Sequence, residues 1–282
     1  MTTAPAPVNA AEIAYWTEVG RAVWVTRQEQ LDRIGAPFGQ CARQALSPRP
    51  GERIMDVGCG CGSTTMELGQ EVGPAGSVLG VDISVPMLDF ARRRAEQAGL
   101  AHVRFREADA QVSAFDPPRF DGLFSRFGIM FFADPVAAFT NLHQALQPGG
   151  RLAFACWRTL PENSWATVPR DAALPHLPPL PTPAAGTPSA FSLADPALIH
   201  DILGRAGFAD ISAAPFDARV DIGPPGEALD LFLQTGPVGS LLREHPDRTD
   251  AVAAALRDAL ARHTTDGVVQ LAGAAWIVTA TA

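Results

Sequence analysis

The hydrophobic positions change period along the chain. Between residues 11 and 46 they recur near helical spacing, first through Ile13, Tyr15, Trp16, Val19, Val23 and Trp24, then from Leu31 to Leu46. Gly35 and Pro37 predict a break in the second stretch, and Pro48, Pro50 and Gly51 predict its end. From residue 52 short apolar runs take over. Arg53–Val57, Val78–Asp82, His102–Phe105, Phe120–Phe124 and Arg151–Trp157 read as buried strands. Helical stretches fall between them, at 63–70 from Ser63, at 85–98 with Ser84 as cap and Gly99 as stop, and at 135–146. Strand and helix alternating in this way predict a parallel sheet with right-handed crossovers.

After Trp157 the pattern dissolves. Residues 161–190 are rich in proline (Pro175, Pro178, Pro179, Pro181, Pro183, Pro188), and a loop of this length predicts a functional or mobile segment. Regular structure returns as a helix near 195–206, a strand over 209–222, helices near 226–234 and 247–262, and a last strand near 267–279.

Composition narrows the chemistry. The 22 basic residues among 282 are all arginine, so lysine Schiff bases, a Walker-type phosphate lysine and the protein-kinase strand lysine are excluded. Thirty acidic residues give a net charge of −8, which disfavours a nucleic-acid partner. A 47% hydrophobic content fits a globular chain with a sizeable core. The four cysteines (Cys41, Cys59, Cys61, Cys156) form no disulfide framework. Residues 1–10 lack a signal-peptide pattern, and no apolar run is long enough to span a bilayer, so the expected location is the reducing cytoplasm.

Asp56-Val57-Gly58-Cys59-Gly60-Cys61-Gly62 is the sharpest chemical signal. Alternate glycines let a strand-to-helix turn approach a ligand closely, and the following helix would direct N–H groups at it. The dinucleotide fingerprint G-x-G-x-x-G fails, because its third glycine would fall on Ser63. The pattern is instead D-x-G-x-G-x-G, with a second acid, Asp82, ending the next strand. A carboxylate there can accept two hydrogen bonds from a ribose diol. Cys59-x-Cys61 without nearby histidines is weak as a metal or redox pair, and no metal site is expected.

The segment resembles motif I of class I S-adenosylmethionine-dependent methyltransferases. Asp82, Glu107-Ala108-Asp109-Ala110-Gln111 and Leu146-Gln147-Pro148-Gly149-Gly150 follow in that family's order over about residues 50–157. Ser125-Arg126-Phe127-Gly128 with Met130-Phe131-Phe132, and the stretch from Trp24 to Pro37, are similar to the bacterial ubiquinone/menaquinone-biosynthesis group. The resemblance implies an α/β, Rossmann-like, doubly wound sheet of seven strands in the order 3-2-1-4-5-7-6, with strand seven antiparallel. Its expected parts are an N-terminal helical cap (1–48), a cofactor-binding core (49–158), a proline-rich lid (159–195) and a C-terminal completion of the sheet (196–282) with a helical substrate region at 224–262.

The cofactor is then S-adenosylmethionine, leaving as S-adenosylhomocysteine. Asp56, Gly58, Cys59, Gly60, Gly62, Asp82, Ile83, Met87, Asp109, Ala110, Gln111, Ser125 and Arg126 are the expected cofactor residues. Arg126 reads equally as a surface arginine. Phe127, Phe131, Trp157 and Trp165 are expected on the acceptor side, although Phe127 and Phe131 also read as core. His176 and Tyr15 are weak candidates for a general base, and Trp16, Trp24 and Arg27 for closure over the cofactor. The implied reaction is in-line methyl transfer to O, N or C of a small, quinone-like or secondary-metabolite acceptor. The same fold could instead hold S-adenosylmethionine for a rearrangement, cyclisation or decarboxylation. A homodimer is compatible with the sequence but not specified by it.

Overall fold

The structure, a computed structural model, describes residues 9–115, 120–180 and 187–282. The N-terminal residues form α1 (Ala10–Ala14), a π-helical stretch Tyr15–Gly20, α2 (Arg21–Thr26) and α3 (Gln28–Leu46). The interruption lies at Arg27 and not at the predicted Gly35–Pro37, since α3 runs unbroken through Pro37. Packing on the sheet compensates the backbone bond that Pro37 removes, because α3 lies along four strands and Phe38 beside it is fully buried.

The core then unfolds as β1 (Arg53–Val57), α4 (Ser63–Val72), β2 (Ser77–Asp82), α5 (Val85–Gln97), β3 (Val103–Glu107), β4 (Phe120–Arg126), α6 (Pro135–Ala145) and β5 (Leu146–Trp157). Asp134 caps α6 by accepting from the Ala137 N–H at 2.9 Å. Gly99, at φ +69°, ends α5 as predicted. Ser84 stands at the N-cap position of α5, but its hydroxyl caps nothing there and donates to the Trp16 carbonyl at 3.0 Å. β5 starts earlier than predicted and carries Pro148 and Gly149 in an irregular first half beside β4.

The proline-rich segment is more ordered than its composition suggests. It holds α7 (Ser164–Ala173), with Pro169 inside the helix, although Pro181 and Pro183 lie outside the described residues. After it come α8 (Pro196–Arg205), β6 (Ala209–Gly223), α9 (Pro225–Gln234), α10 (Gly236–Glu244), α11 (Thr249–Ala261), β7 (Thr264–Thr265) and β8 (Val268–Thr281). α10 and the two-residue β7 have no counterpart in the sequence reading.

The sheet order is β3-β2-β1-β4-β5-β8-β6. β1 to β5 pair in parallel, and β8 runs antiparallel between β5 and β6. This is the predicted order, with β8 in the place of strand seven because β7 is a stub paired only to β8. β1 is central, so its C-terminal end and that of β4 open onto the switch point where the strand order reverses, the usual ligand crevice of such sheets. α7 packs on α10 and α11, and α9 on β6 and α11, which builds a helical layer over the β5–β6 side of that crevice. Among the described residues no helix is long and apolar enough to cross a membrane.

Candidate functional site

The glycine turn is held by its own strands. Gly58 and Cys59 donate N–H bonds to the Val81 carbonyl at 2.9 and 3.1 Å, and Gly62 donates to Cys59 at 2.9 Å. Gly60 donates to Asp82 Oδ2 at 2.8 Å. These four amides are therefore engaged within the turn. What the turn presents is a surface without Cβ atoms. Gly58 is also forced by packing: at φ +67°, its missing Cβ would lie 2.6 Å from the Gly128 Cα.

Two buried carboxylates flank the turn. Asp56 is fully buried, and its Oδ2 accepts from the Thr64 and Thr65 hydroxyls, each at 2.7 Å. Its Oδ1 is buried with no hydrogen-bond partner. Burial pushes this carboxyl up to about 6, while the threonine hydroxyls and Arg126 pull it down. Asp82 takes one backbone N–H on each oxygen, from Gly60 on Oδ2 and from Ser84 on Oδ1 at 2.9 Å. Burial raises its carboxyl, and the amides of Ser84, Gly60 and Ile83 oppose the rise. A carboxylate oxygen can accept twice, so each Asp82 oxygen has capacity for a second donor. Met87 is buried with its Sδ 3.9 Å from where a Gly60 Cβ would stand, and Ile83, next to Asp82 in sequence, is half-buried.

Beyond β3, Asp109 accepts the Gln111 N–H at 2.9 Å on Oδ1 and the Asn9 carboxamide at 2.6 Å on Oδ2. The Ala110 carbonyl is held by Asn141 at 2.9 Å. At the end of β4, the Ser125 hydroxyl donates to the Val57 carbonyl at 2.6 Å and locks β4 to β1. Arg126 is no free surface arginine, for it pairs with Asp32 of α3 at 2.7 Å.

The four aromatic residues expected together on the acceptor side fall into two groups. Phe127 stacks on Trp157, with centroids 3.9 Å apart and planes at 11°, and Trp157 meets Trp165 at 4.8 Å. Phe38 of α3 and Phe191 of the insert extend this wall, at 4.9 Å from Trp157 and 6.1 Å from Trp165 respectively. Phe131 lies elsewhere, edge-on to Trp16 at 5.1 Å, and Trp16 in turn meets Trp24 at 5.1 Å. Phe127 has φ +62°, a conformation that costs a bulky residue about 1–3 kcal/mol and is tolerated where it aims a side chain. Neither Phe38 nor Phe191 carries a sequence signal of its own, because each reaches the wall only through tertiary packing.

The remaining sequence candidates are spread out. His176 is exposed on a 3₁₀ turn after α7. Burial raises the Tyr15 phenol above its ordinary value of 10, and Arg243 of α10 partly offsets this. Arg27 turns towards α9, where it pairs with Asp230 at 3.7 Å.

A methyltransferase-domain family matches residues 54–150. Nocamycin O-methyltransferase of Saccharothrix syringae is 30% identical over 82% of this chain and 87% of its own. The chain belongs to the S-adenosylmethionine-dependent methyltransferases. Aklanonic acid methyltransferase DauC of a Streptomyces is 32% identical over 54% of this methyltransferase and 66% of that relative. Demethylmenaquinone methyltransferase of Thermus thermophilus is 40% identical over 45% of the chain and 56% of its own. The crystal structure of the YcgJ protein of Bacillus subtilis shares the fold, with a TM-score of 0.59, 16% identity, and 87% of this chain and 98% of that one covered.

The motif cysteines of this methyltransferase are packing groups. The Cys59 Sγ lies 2.9 Å from where a Gly80 Cβ would stand, and burial next to Asp82 and Asp56 pushes its thiol well up. Burial and Asp32 push the Cys61 thiol up to about 12. Both are protonated at neutral pH and poor nucleophiles. Iodoacetamide at pH 7.5 is expected to reach half-buried Cys41 first and to leave Cys59, Cys61 and Cys156 unmodified until urea is added. Fast native labelling of Cys61, read by peptide mass spectrometry, would contradict this packing.

Proposed function

We propose that this methyltransferase transfers a methyl group to an acidic oxygen of a small, flat acceptor enclosed at the aromatic wall. The observation that carries the cofactor half is Asp82, a buried carboxylate at the end of β2 whose two oxygens are each fixed by a backbone amide and each have capacity for a second donor. That donor-poor pair suits a ribose diol, each charge-assisted bond contributing about 1.5–3 kcal/mol. Asp109 suits an exocyclic amine, since both of its present partners are N–H donors. The unpartnered Oδ1 of Asp56 suits an ammonium. Gly58, Gly60 and Gly62 supply bare backbone, Ile83, Met87, Ala110 and Gln111 the walls around the base, and Ser125 and Arg126 the amino-acid end.

S-adenosylmethionine supplies a methyl group on a positively charged sulfur that is already a strong electrophile. The protein's part is to orient the acceptor in line with it and to exclude water, an effect worth several kcal/mol. Phe127, Trp157 and Trp165, with Phe38 and Phe191, make an apolar wall suited to stacking a planar acceptor. α7 and α9–α11 form the lid above it. Phe131 belongs with Trp16 and Trp24 in closing the cofactor side.

Neither base candidate supports strong proton abstraction, because His176 is exposed and the Tyr15 phenol is held protonated. The acceptor oxygen should therefore ionise readily by itself, as a carboxylic acid, enol or phenol does. The names of the relatives that act on nocamycin and aklanonic acid are consistent with this reading. A net charge of −8 supports a small molecule over nucleic acid, and four free thiols suit a reducing cytoplasm.

Asp56 gives this reading a pH signature. Its carboxyl lies near 6 and must be ionised to hold an ammonium. Affinity for S-adenosylhomocysteine should thus be flat above neutrality and fall as pH drops through 6, by about tenfold per unit once the carboxyl is mostly protonated. Calorimetry between pH 4.5 and 8 should show this limb in wild type and its absence in Asp56→Asn, and a limb retained by Asp56→Asn would sink the role. Incubation with candidate acids and phenols should give products heavier by one methyl group together with S-adenosylhomocysteine.

A further inference from the structure

Four elements converge on Asp32, a residue that methyl transfer itself does not use. Arg126 Nη2, from the end of β4, donates to Asp32 Oδ1 at 2.7 Å. Asp32 Oδ2 accepts from the Ser63 hydroxyl on the first residue of α4 and from the Gln28 carboxamide on α3. Arg94 of α5 donates to the Ser63 hydroxyl at 2.9 Å and to the Cys61 carbonyl at 2.7 Å, with its other terminal nitrogen 3.8 Å from Asp32. Two guanidiniums thus meet the one carboxylate of Asp32, beside a turn that Asp56 and Asp82 also flank.

The path of Arg126 to Asp32 is cut into α3. A Cβ on Gly39 would lie 2.9 Å from the Arg126 Cδ, and one on Gly35 would lie 3.2 Å from Nε and Nη1. Each glycine inside a helix is unfavourable against alanine. Here the two stand one turn apart and clear a groove for the arginine. Gly35, which with Pro37 predicts a break in the sequence, is thus part of a continuous helix that carries Arg126 across its surface.

We propose that Asp32 is a positioning residue for cofactor binding, drawing Arg126 along the Gly35–Gly39 groove and holding its guanidinium beside the glycine turn, opposite the buried carboxylate of Asp56. The two side chains then offer opposite charges to the two ends of an amino-acid zwitterion. This assignment rests on the cofactor reading of the site. The groups facing Asp56 are Arg126 from β4, Asp82 from β2, Cys59 from the turn, and Thr64 and Thr65 from α4. Of these, Arg126 is the cation, and it pulls the Asp56 carboxyl down.

The test is S-adenosylhomocysteine titration of Asp32→Asn and Gly39→Ala across pH 5–8, beside melting curves. Both variants should bind about five- to tenfold more weakly at pH 7.5, and the acid limb of binding should move up by about half a pH unit as Asp56 loses its nearby cation. Asp32→Glu should restore most of the affinity. A bracing role alone would lower the melting temperature without moving the limb. Should Asp32→Asn fail to fold, Gly39→Ala carries the test, because it leaves every polar partner in place. Wild-type affinity with an unmoved limb in the folded variants would overturn the assignment. A wild-type chain that binds no S-adenosylhomocysteine would overturn the cofactor reading, and the assignment with it.

Discussion

Asp82→Ala is expected to weaken S-adenosylhomocysteine binding at least tenfold, equivalent to about 1.4 kcal/mol. The loss has two sources. The diol loses a charged acceptor at a buried position, where such bonds are stronger than in water. The Gly60 and Ser84 amides lose the carboxylate that accepts them at 2.8 and 2.9 Å, so the turn also loses its fixed relation to β2. Asp82→Asn separates these contributions, because it keeps a carbonyl acceptor for one amide while removing the charge. Its affinity should fall between wild type and alanine. Unchanged affinity in a folded Asp82→Ala would remove the carboxylate from the site.

Gly58→Ala should be the most damaging single methyl group in the chain's glycine turn. Gly58 sits at φ +67°, and its Cβ would approach the Gly128 Cα to 2.6 Å, a backbone atom that no rotamer change can move. The pair of glycines is where the ends of β1 and β4 touch. Strain of this kind costs about 2–3 kcal/mol, and for a domain of this size that lowers the melting temperature by roughly 5–10 °C. Cofactor affinity should fall with it, since the turn and Phe127 must separate. Gly149→Ala is the matched control. It has φ +75° but nothing within 4 Å of its Cβ, so it should cost only about 1 kcal/mol from the backbone angle. Equal melting temperatures for the two variants would show that the contact, and not the dihedral, had been misjudged.

Much of this molecule is written locally. The parallel order follows from apolar runs alternating with amphipathic helices, and the glycine turn with Asp82 marks the crevice. The parts that are not legible depend on distant residues. Gly35 and Pro37 look like a helix break because no local signal says that α3 will be pressed against the sheet or that Arg126, about 90 positions later, needs the space. α7 is hidden by Pro169 and the surrounding prolines, and it holds its place by packing on α10 and α11. Phe127 and Phe131 are four residues apart in sequence, yet one stacks on Trp157 and the other on Trp16. The chain turns between them at Gly128, so their sequence proximity carries no information about the face each serves. Ser84 shows the same limit on a smaller scale: it has the composition of a cap, but its hydroxyl ties the N-terminal π-helical stretch to the core at Trp16.

We propose that the glycine turn, Asp82 and Asp109 form the S-adenosylmethionine site and that the aromatic wall receives the acceptor. A crystal structure with S-adenosylhomocysteine tests it most directly. The ribose diol is expected on the two Asp82 oxygens, the adenine amino group at Asp109, the ammonium at Asp56, and the sulfur facing the Phe127–Trp157–Trp165 wall. Density for the ligand away from the turn, or a sulfur turned from that wall, would contradict it.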